Sequence, residues 1–214
     1  MKKLSIKEAF GSAWRIFSNH VWVFVGSTAL IGAISFIMNQ VGKDSGPGDF
    51  IIGLAGAVLS WWLYIGFIRI AMTAYAGGII SFDMLFKERG MTLWHYILAV
   101  ILSGLCVIVG LVLLIIPGII VQVGLMFVPF LILDKNMQPI ASLKESWRLT
   151  KGYKWNLFGF FLLVILINVF GALVTFGLGL LVTAPLSLLV LTYLYRELEK
   201  GVQMEPVAPT TPVH

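Results

Sequence analysis

The segment 142–155, SLKESWRLTKGYKW, carries the densest group of charged and aromatic side chains in the chain. It lies between two long apolar runs, 90–133 and 155–195, neither of which contains Asp, Glu, Lys or Arg. Such a segment could be a catalytic or ligand-binding insert, or a helix that attaches to the head groups of a membrane. The candidate head-group and interface residues are Lys144, Trp147, Arg148, Lys151 and Trp155 in this segment, and Arg15, Trp22 and Trp94 elsewhere.

Arg69 and Asp134 are the charged residues that could line a cavity or bind a partner. An ionisable residue inside a membrane span is a candidate functional residue by default, but the Arg69 side chain could instead snorkel to the cytoplasmic interface. Asp134 closes an apolar run and is either a partner for the basic helices or a solvated helix end. Pro129 and Pro185 fall inside predicted spans, where the resulting kinks either line a cavity or improve packing.

The sequence contains none of the usual catalytic or metal-binding patterns. There is no HExxH motif, no Cys/His cluster and no paired-carboxylate pattern. His20 and His95 have no carboxylate nearby in the sequence, so we interpret them as boundary residues rather than as a proton-handling pair. Cys106 is the single cysteine, which excludes an intrachain disulfide. We therefore expect no metal, no cofactor and no enzymatic activity.

The composition places these residues in a membrane protein. Apolar residues make up 59% of the chain and charged residues 12%, whereas a soluble domain has about 45–50% and about 25%. A spanning helix needs about 20 apolar residues, so each long charge-free run holds two helices joined by a tight turn, at IIPGII (115–120) and TFGLGL (175–180). We predict an all-α integral membrane protein with six spans, at 20–40, 52–78, 93–116, 118–134, 155–175 and 178–196.

Lys and Arg are distributed unequally between the two ends of these spans. One side carries nearly all of them, and the opposite side carries Lys43 alone. The positive-inside rule then places both termini in the cytoplasm. The net charge of +5 lies at the cytoplasmic membrane face, where anionic lipids would attract it, and does not indicate nucleic-acid binding.

Two segments align without a gap and indicate an internal repeat. AWRIFSNHVWVFVG (13–26) matches SWRLTKGYKWNLFG (146–159), and LFKERGMTLWHYIL (85–98) is a fainter copy. Each unit would be an amphipathic interfacial helix followed by a transmembrane hairpin. The repeats fall at about 4–80, 81–135 and 138–201, within one domain that covers 1–201. We predict that the Pro-rich tail, 202–214, is disordered.

The first and third interfacial helices have predicted apolar stripes at helical spacing. These stripes are Ile6, Phe10, Trp14 and Phe17 in the first helix, and Ile140, Leu143 and Trp147 in the third. Ser5 and Glu8 fit a capping box that starts the first helix. The third begins either with Ser142 as its cap or earlier, at Pro139.

The second half of the chain resembles the glycerophosphoryl diester phosphodiesterase membrane-domain family and its bacterial relatives. The resemblance covers 113–160 and the closing APLSLLVLTYLYRELEKG, 184–201. Its motif residues are Pro117, Gly118, Pro129, Asp134, Ala141, Ser146, Trp147, Arg148, Leu149, Gly152 and Trp155. The resemblance implies a stand-alone protein of the bacterial inner membrane without the catalytic barrel that follows this region in some relatives.

Two functions are consistent with the sequence. The first is a non-enzymatic membrane protein that interacts with anionic lipid head groups at the cytoplasmic face, in envelope or membrane homeostasis. The alternative is a transporter or lipid translocator with a central cavity that involves Arg69, Pro129 and Pro185. Protein partners and the oligomeric state are not predicted.

Overall fold

The fold is all-helical across the residues that the computed structural model describes, 5–41, 49–87 and 90–203. Side chains are described in the same ranges except at positions 39, 41, 49–52, 202 and 203. The helices are α1 (Ile6–Asn19), α2 (Val21–Val41), α3 (Asp49–Tyr75), α4 (Gly90–Leu113), α5 (Ile115–Leu125), α6 (Val128–Lys135), α7 (Pro139–Leu149), α8 (Lys154–Val174) and α9 (Leu180–Gln203). A 3₁₀ turn, Phe82–Leu85, follows α3.

Six helical segments are long and apolar enough to cross a membrane, which confirms the predicted class and number of spans. They are Val21–Met38, Gly53–Tyr75, Gly90–Leu113, Ile115–Lys135, Lys154–Val174 and Leu180–Gly201. Large apolar side chains at the α4–α5 and α8–α9 turns are exposed, with Val112 at 81% and Phe176 at 98%. Exposed apolar surface of this extent requires an apolar surrounding such as lipid.

The two prolines inside predicted spans have different effects on the backbone. Pro129 lies in the first turn of α6, after a break at Met126 and Phe127 that separates α6 from α5. Proline is tolerated there because its missing N–H has no partner in a first turn. Pro185 lies within α9, which continues on both sides of it.

Helix α9 extends beyond the predicted end at 196. Ion pairs between residues three positions apart, Arg196 with Glu199 and Glu197 with Lys200, follow the apolar part of the helix. Such pairs stabilise an exposed helical turn by about 0.2–0.5 kcal/mol each. The last charged turns therefore continue the helix rather than end it.

Helix α1 begins where the capping pattern predicts. The Ser5 side chain accepts a hydrogen bond from the Glu8 backbone N–H at 3.4 Å. The face of α1 that is buried consists of Ala9, Ala13 and Phe17, and α1 packs against α9. The predicted apolar stripe is therefore offset from the buried face, because two of its members point outward: Ile6 is 51% exposed and Trp14 is 56% exposed.

Helix α7 begins at Pro139, so the second of the two predicted starts is the observed one. Ser142 lies inside the helix, where its hydroxyl donates to the Pro139 carbonyl at 2.7 Å. Its buried face is Ser142, Ser146 and Leu149, while Trp147 remains exposed. As in α1, two small residues and one large apolar residue form the buried face, and small residues allow close helix contact.

The alignment of the first and third copies pairs residues of like burial. Ala9 and Ala13 correspond to Ser142 and Ser146, and all of them are buried. This agreement supports the repeat, which remains a prediction.

The middle copy differs from the expected interfacial helix. The turn Phe82–Leu85 folds back against α3 and α2, and Leu85 is fully buried. Gly66 makes this possible, because a Cβ there would lie 2.5 Å from the Leu85 Cα. Residues 88 and 89 of this copy lie outside the described residues. In the described part of this unit, the four-residue 3₁₀ turn therefore stands where the amphipathic interfacial helix was predicted.

Candidate functional site

A charged network joins the end of α6 to α9. The Asp134 carboxylate accepts hydrogen bonds from Arg196 Nη1 at 2.8 Å, from Arg196 Nη2 at 3.0 Å and from the Tyr195 hydroxyl at 2.9 Å. Glu199 accepts from Arg196 at 3.1 Å and pairs with Lys135 at 3.1 Å. The partner of Asp134 is therefore α9 and not one of the basic helices. Each charged group in this network has a partner of opposite charge, which is typical of a structural contact between helices. We call the group formed by Asp134, Lys135, Tyr195, Arg196 and Glu199 the clamp.

Tyrosine rings on α9 continue this clamp, and the sequence pattern did not single them out. The Tyr195 ring stacks on Phe130 with centroids 5.4 Å apart and contacts Phe127 at 6.0 Å. Tyr193 lies 6.1 Å from the Tyr75 ring and donates to the Glu8 carboxylate at 3.2 Å. Their only signal in the sequence is their place at the end of an apolar run.

The basic residues of α7 and the following turn lie on the exposed side of the helix. Arg148 binds Glu145 through two hydrogen bonds of 2.8 and 2.7 Å. This contact lowers the pKa of Glu145 and raises the pKa of Arg148. Lys144 and Lys151 are exposed, and neither forms an ion pair with any described residue. Of these three predicted head-group cations, Arg148 therefore already has an acidic partner, and Lys144 and Lys151 have none among the described residues.

The predicted interface tryptophans are exposed and occupy equivalent places. Trp22 and Trp155 are the second residues of α2 and α8, and Trp94 is the fifth residue of α4. These three side chains are 85%, 78% and 65% exposed, respectively. Arg15 is exposed near the end of α1. Tryptophan is enriched where one side of its ring meets hydrocarbon and the other meets water.

Trp147 is fixed more closely than the other predicted interface residues. Its ring packs against Gly124, where a Cβ would lie 2.5 Å from the ring. The Gly124 carbonyl accepts hydrogen bonds from Ser146 at 2.8 Å and from Thr150 at 3.4 Å, which hold α7 against α5. The Lys154 ammonium lies 3.0 Å from the Trp147 ring centroid, a cation–π contact.

Two apolar grooves flank the start of α8, and Trp155 lines both of them. The first has a volume of about 220 Å³ and is lined by Ile116, Ile119, Ile120, Val123, Lys154, Trp155 and Phe158. The second has a volume of about 520 Å³, is more open, and is lined by Ile6, Trp155, Asn156, Gly159, Phe160, Leu162, Leu163 and Leu166. Grooves of this kind, beside fixed cations, can accept the chains of a lipid.

The residues of the predicted central cavity are not brought together in these grooves. Arg69 is half-buried in α3 and takes part in an interaction with another residue. Neither groove is lined by Arg69, Pro129 or Pro185. The features that could line a cavity therefore lie apart from the grooves at α8.

A polar cluster between α8 and α9 lies within the spans and was missed by sequence reasoning. The Asn168 amide donates to the Ser187 hydroxyl at 2.6 Å and accepts from the Thr183 hydroxyl at 3.0 Å. Each residue is an unremarkable single polar position in an apolar run, so no sequence signal joins them. Hydrogen bonds of this kind hold membrane helices together.

We expect Asn168→Leu to lower the stability of the detergent-solubilised protein by about 1 kcal/mol, because an interhelical hydrogen bond in a membrane protein contributes about 0.6 kcal/mol on average. The measurement is the thermal melting temperature. Asn156→Leu, an exposed asparagine on the same helix, is the matched control and should change it less. A melting temperature of Asn168→Leu equal to that of the control would show that the cluster does not hold α8 to α9.

Groups suited to bind a metal ion are not found among the described residues. His20 Nδ1 donates to the Ile16 carbonyl at 3.2 Å, and Cys106 is exposed. The expected absence of metal and cofactor sites remains a prediction.

Comparison with known proteins gives a family but no activity. Residues 25–213 match the family described as a domain of unknown function, DUF7847. No curated protein and no solved structure matches the chain. Nothing in these comparisons links the chain to the glycerophosphoryl diester phosphodiesterase membrane-domain family, so that resemblance is replaced by the observed match. Because the match spans most of the sequence, the chain belongs to the DUF7847 family.

Proposed function

We propose that this protein is a non-enzymatic, multi-pass membrane protein of the bacterial inner membrane that binds anionic lipid head groups at its cytoplasmic face, in support of envelope or membrane homeostasis. The observation that carries the proposal is the orientation of α7. This helix is attached to the bundle through Ser142, Ser146 and Leu149, which leaves Lys144 and Trp147 on its outer side.

The charges of the outer surface favour an anionic ligand. Asp134 and Glu199 bind cations within the clamp, and Glu145 binds Arg148. Lys144 and Lys151 are exposed without an ion pair among the described residues, so phosphate groups can reach them. A Lys near an anionic membrane surface contributes about 1 kcal/mol to attraction.

The exposed tryptophans support the same interpretation. Three of them begin three spans, and Trp147 lies beside the exposed cations. An aromatic ring at the boundary combined with neighbouring cations is the usual composition of a helix that lies in the membrane interface. The proposal places α7 in the cytoplasmic interface with its cations at the level of the phosphates.

The test is a lipid titration of the full-length protein in a non-ionic detergent. Phosphatidylglycerol should raise the thermal melting temperature more than phosphatidylcholine, because a ligand that binds only the folded state stabilises it by mass action. The variant Lys144→Gln with Lys151→Gln should lose about half or more of that difference, since each exposed cation contributes about 1 kcal/mol.

The matched control removes the same charge from cations that already have acidic partners. Lys87→Gln with Lys135→Gln changes residues that pair with Asp83 and Glu199. This variant should retain the response to phosphatidylglycerol. Equal stabilisation of the unchanged protein by both lipids would refute the proposal.

A further inference from the structure

We infer that the start of α8 is a specific binding site for one diacyl phospholipid with an anionic head group. One acyl chain would lie in each groove beside Trp155, and the phosphate would lie near Lys154 and Lys151. This inference rests on the proposed function and adds to it a defined site, a defined number of chains and a role for Lys154.

The two grooves match the two chains of a phospholipid. Trp155 lines both grooves, so it stands as a ridge between them, and it is 78% exposed. On the α5 side, Ile116, Ile119, Ile120 and Val123 recur at i, i+3, i+4 and i+7, an apolar stripe about 10 Å long. A stripe of that length accommodates part of one acyl chain.

The second groove is open where a chain would enter it. A Cβ built at Gly159 meets no atom within 4 Å, so this glycine leaves free space rather than allowing a close contact inside the protein. Phe160 and Leu163 contribute apolar walls, and Ile6 of α1 contributes from the other side. Apart from Asn156, the residues that line this groove are apolar, so an acyl chain is a chemically matched occupant.

The charge at the head of the site is fixed. Lys154 lines the first groove, and its ammonium lies over the Trp147 ring, which is itself packed on Gly124. A cation held in this way loses less conformational freedom on binding a phosphate than a freely rotating one. Lys151 lies three residues earlier, in the turn before α8, and is exposed. Neither groove is lined by an acidic residue.

Other lipids fit less well. A zwitterionic head group presents its own cation to Lys154 and Lys151, and a lipid with one chain leaves one groove empty. The site therefore predicts a preference for phosphatidylglycerol over both phosphatidylcholine and lysophosphatidylglycerol. Each buried CH₂ contributes to lipid binding, so the second chain should matter as much as the head group.

The experiment counts the lipids that remain bound to full-length protein in native mass spectrometry, across a titration with each of these three lipids. The unchanged protein should retain one phosphatidylglycerol at least tenfold more tightly than either of the other two. Gly159→Leu, which fills the second groove, should weaken that binding about tenfold or more. Lys154→Gln should weaken it about fivefold, the effect of one surface cation.

Matched controls are available in the chain. Gly32→Leu adds the same side chain at an exposed glycine of α2 with open space around it, and Lys87→Gln removes an exposed cation that lines neither groove. Both should keep the tightly bound phosphatidylglycerol. A photoactivatable phosphatidylglycerol added to the unchanged protein should label residues 116–123 and 154–166, so the inference is tested even if a variant does not fold.

The possible failures are distinguishable. Preference for phosphatidylglycerol over phosphatidylcholine that survives both Gly159→Leu and Lys154→Gln would overturn this site and leave the proposed function intact. Lysophosphatidylglycerol bound as tightly as the diacyl lipid would overturn the two-chain assignment. A protein that retains phosphatidylcholine equally well would overturn both the site and the proposed function.

Discussion

Replacing Asp134 by Ala should destabilise the protein more than any other single charge change described here. We expect a loss of about 3 kcal/mol, at the low end of the range for breaking a buried ion pair, because Arg196 and Asp134 retain 24% and 18% side-chain exposure. For a chain of this size, that loss corresponds to a fall of about 6–12 °C in melting temperature.

The physical reason is that the Asp134 carboxylate accepts hydrogen bonds from Tyr195 and Arg196, and no other group can replace it as the acceptor for both. Without it, the Tyr195 hydroxyl loses its acceptor, and the Arg196 guanidinium keeps only the Glu199 carboxylate at 3.1 Å. An unsatisfied buried donor or charge costs more than the hydrogen bond itself contributes. The Tyr195→Phe variant, which removes one donor and leaves the ion pair, should lose only about 1 kcal/mol.

The control is an ion pair of the same type on the surface. Asp83 lies 3.7 Å from Lys87, and their side chains are 76% and 68% exposed. Asp83→Ala should change the free energy of unfolding by less than about 1 kcal/mol, because exposed pairs contribute little. Thermal melting of both variants in the same detergent is the measurement. Equal melting temperatures for Asp134→Ala and Asp83→Ala would show that the clamp does not hold α6 to α9.

The clamp also illustrates what the sequence could not predict. The two apolar runs that end at Asp134 and Arg196 were both identified, but the pairing of these residues is a contact between helices 62 positions apart. No local period or motif encodes which helix ends meet. The same holds for Asn168 and Ser187. In the sequence each is an isolated polar residue in an apolar run, and their hydrogen bond exists only because α8 packs on α9.

Local signals were more reliable. The number of spans follows from apolar length, and the start of α1 follows from Ser5 and Glu8. Both depend on interactions between residues close in sequence or with the solvent, so no tertiary contact is needed to predict them. The ambiguity between Pro139 and Ser142 was resolved by tertiary structure, because Ser142 is buried against the bundle within α7.

The sequence predicts α1 and α7 as amphipathic helices whose apolar stripes lie in the membrane interface, and this placement remains a prediction. Periodicity identifies an apolar face, and an apolar face is normally expected to be buried in the protein. In a membrane protein that face can turn to lipid while small residues contact the bundle. Ile6 and Trp147 are exposed, and Ala13 and Ser146 are buried. The lipid-binding proposals depend on these exposed side chains.

Replacing Gly66 by Ala should be the second most damaging change, and it tests the position of the Phe82–Leu85 turn. A Cβ at Gly66 would lie 2.5 Å from the Leu85 Cα and 2.6 Å from the Leu85 carbonyl oxygen. Both are backbone atoms, so no side-chain rotation relieves the contact and the turn must move. Overpacking of this kind costs about 1–3 kcal/mol, and we expect the upper end here.

Gly53→Ala is the matched control, because Gly53 lies in the same helix and its added Cβ would meet no atom within 4 Å. In a helix interior, alanine is favoured over glycine by about 1 kcal/mol, so this variant should be as stable as the unchanged protein or slightly more stable. Thermal melting in detergent separates the two variants.

A cysteine at position 85 reports the position of the turn directly. In a Cys106→Ala background, Leu85→Cys should resist a thiol reagent, because Leu85 is fully buried. It should become reactive when Gly66→Ala displaces the turn. Equal melting temperatures for Gly66→Ala and Gly53→Ala, together with a Cys at position 85 that reacts in both, would mean that the turn does not pack against α3.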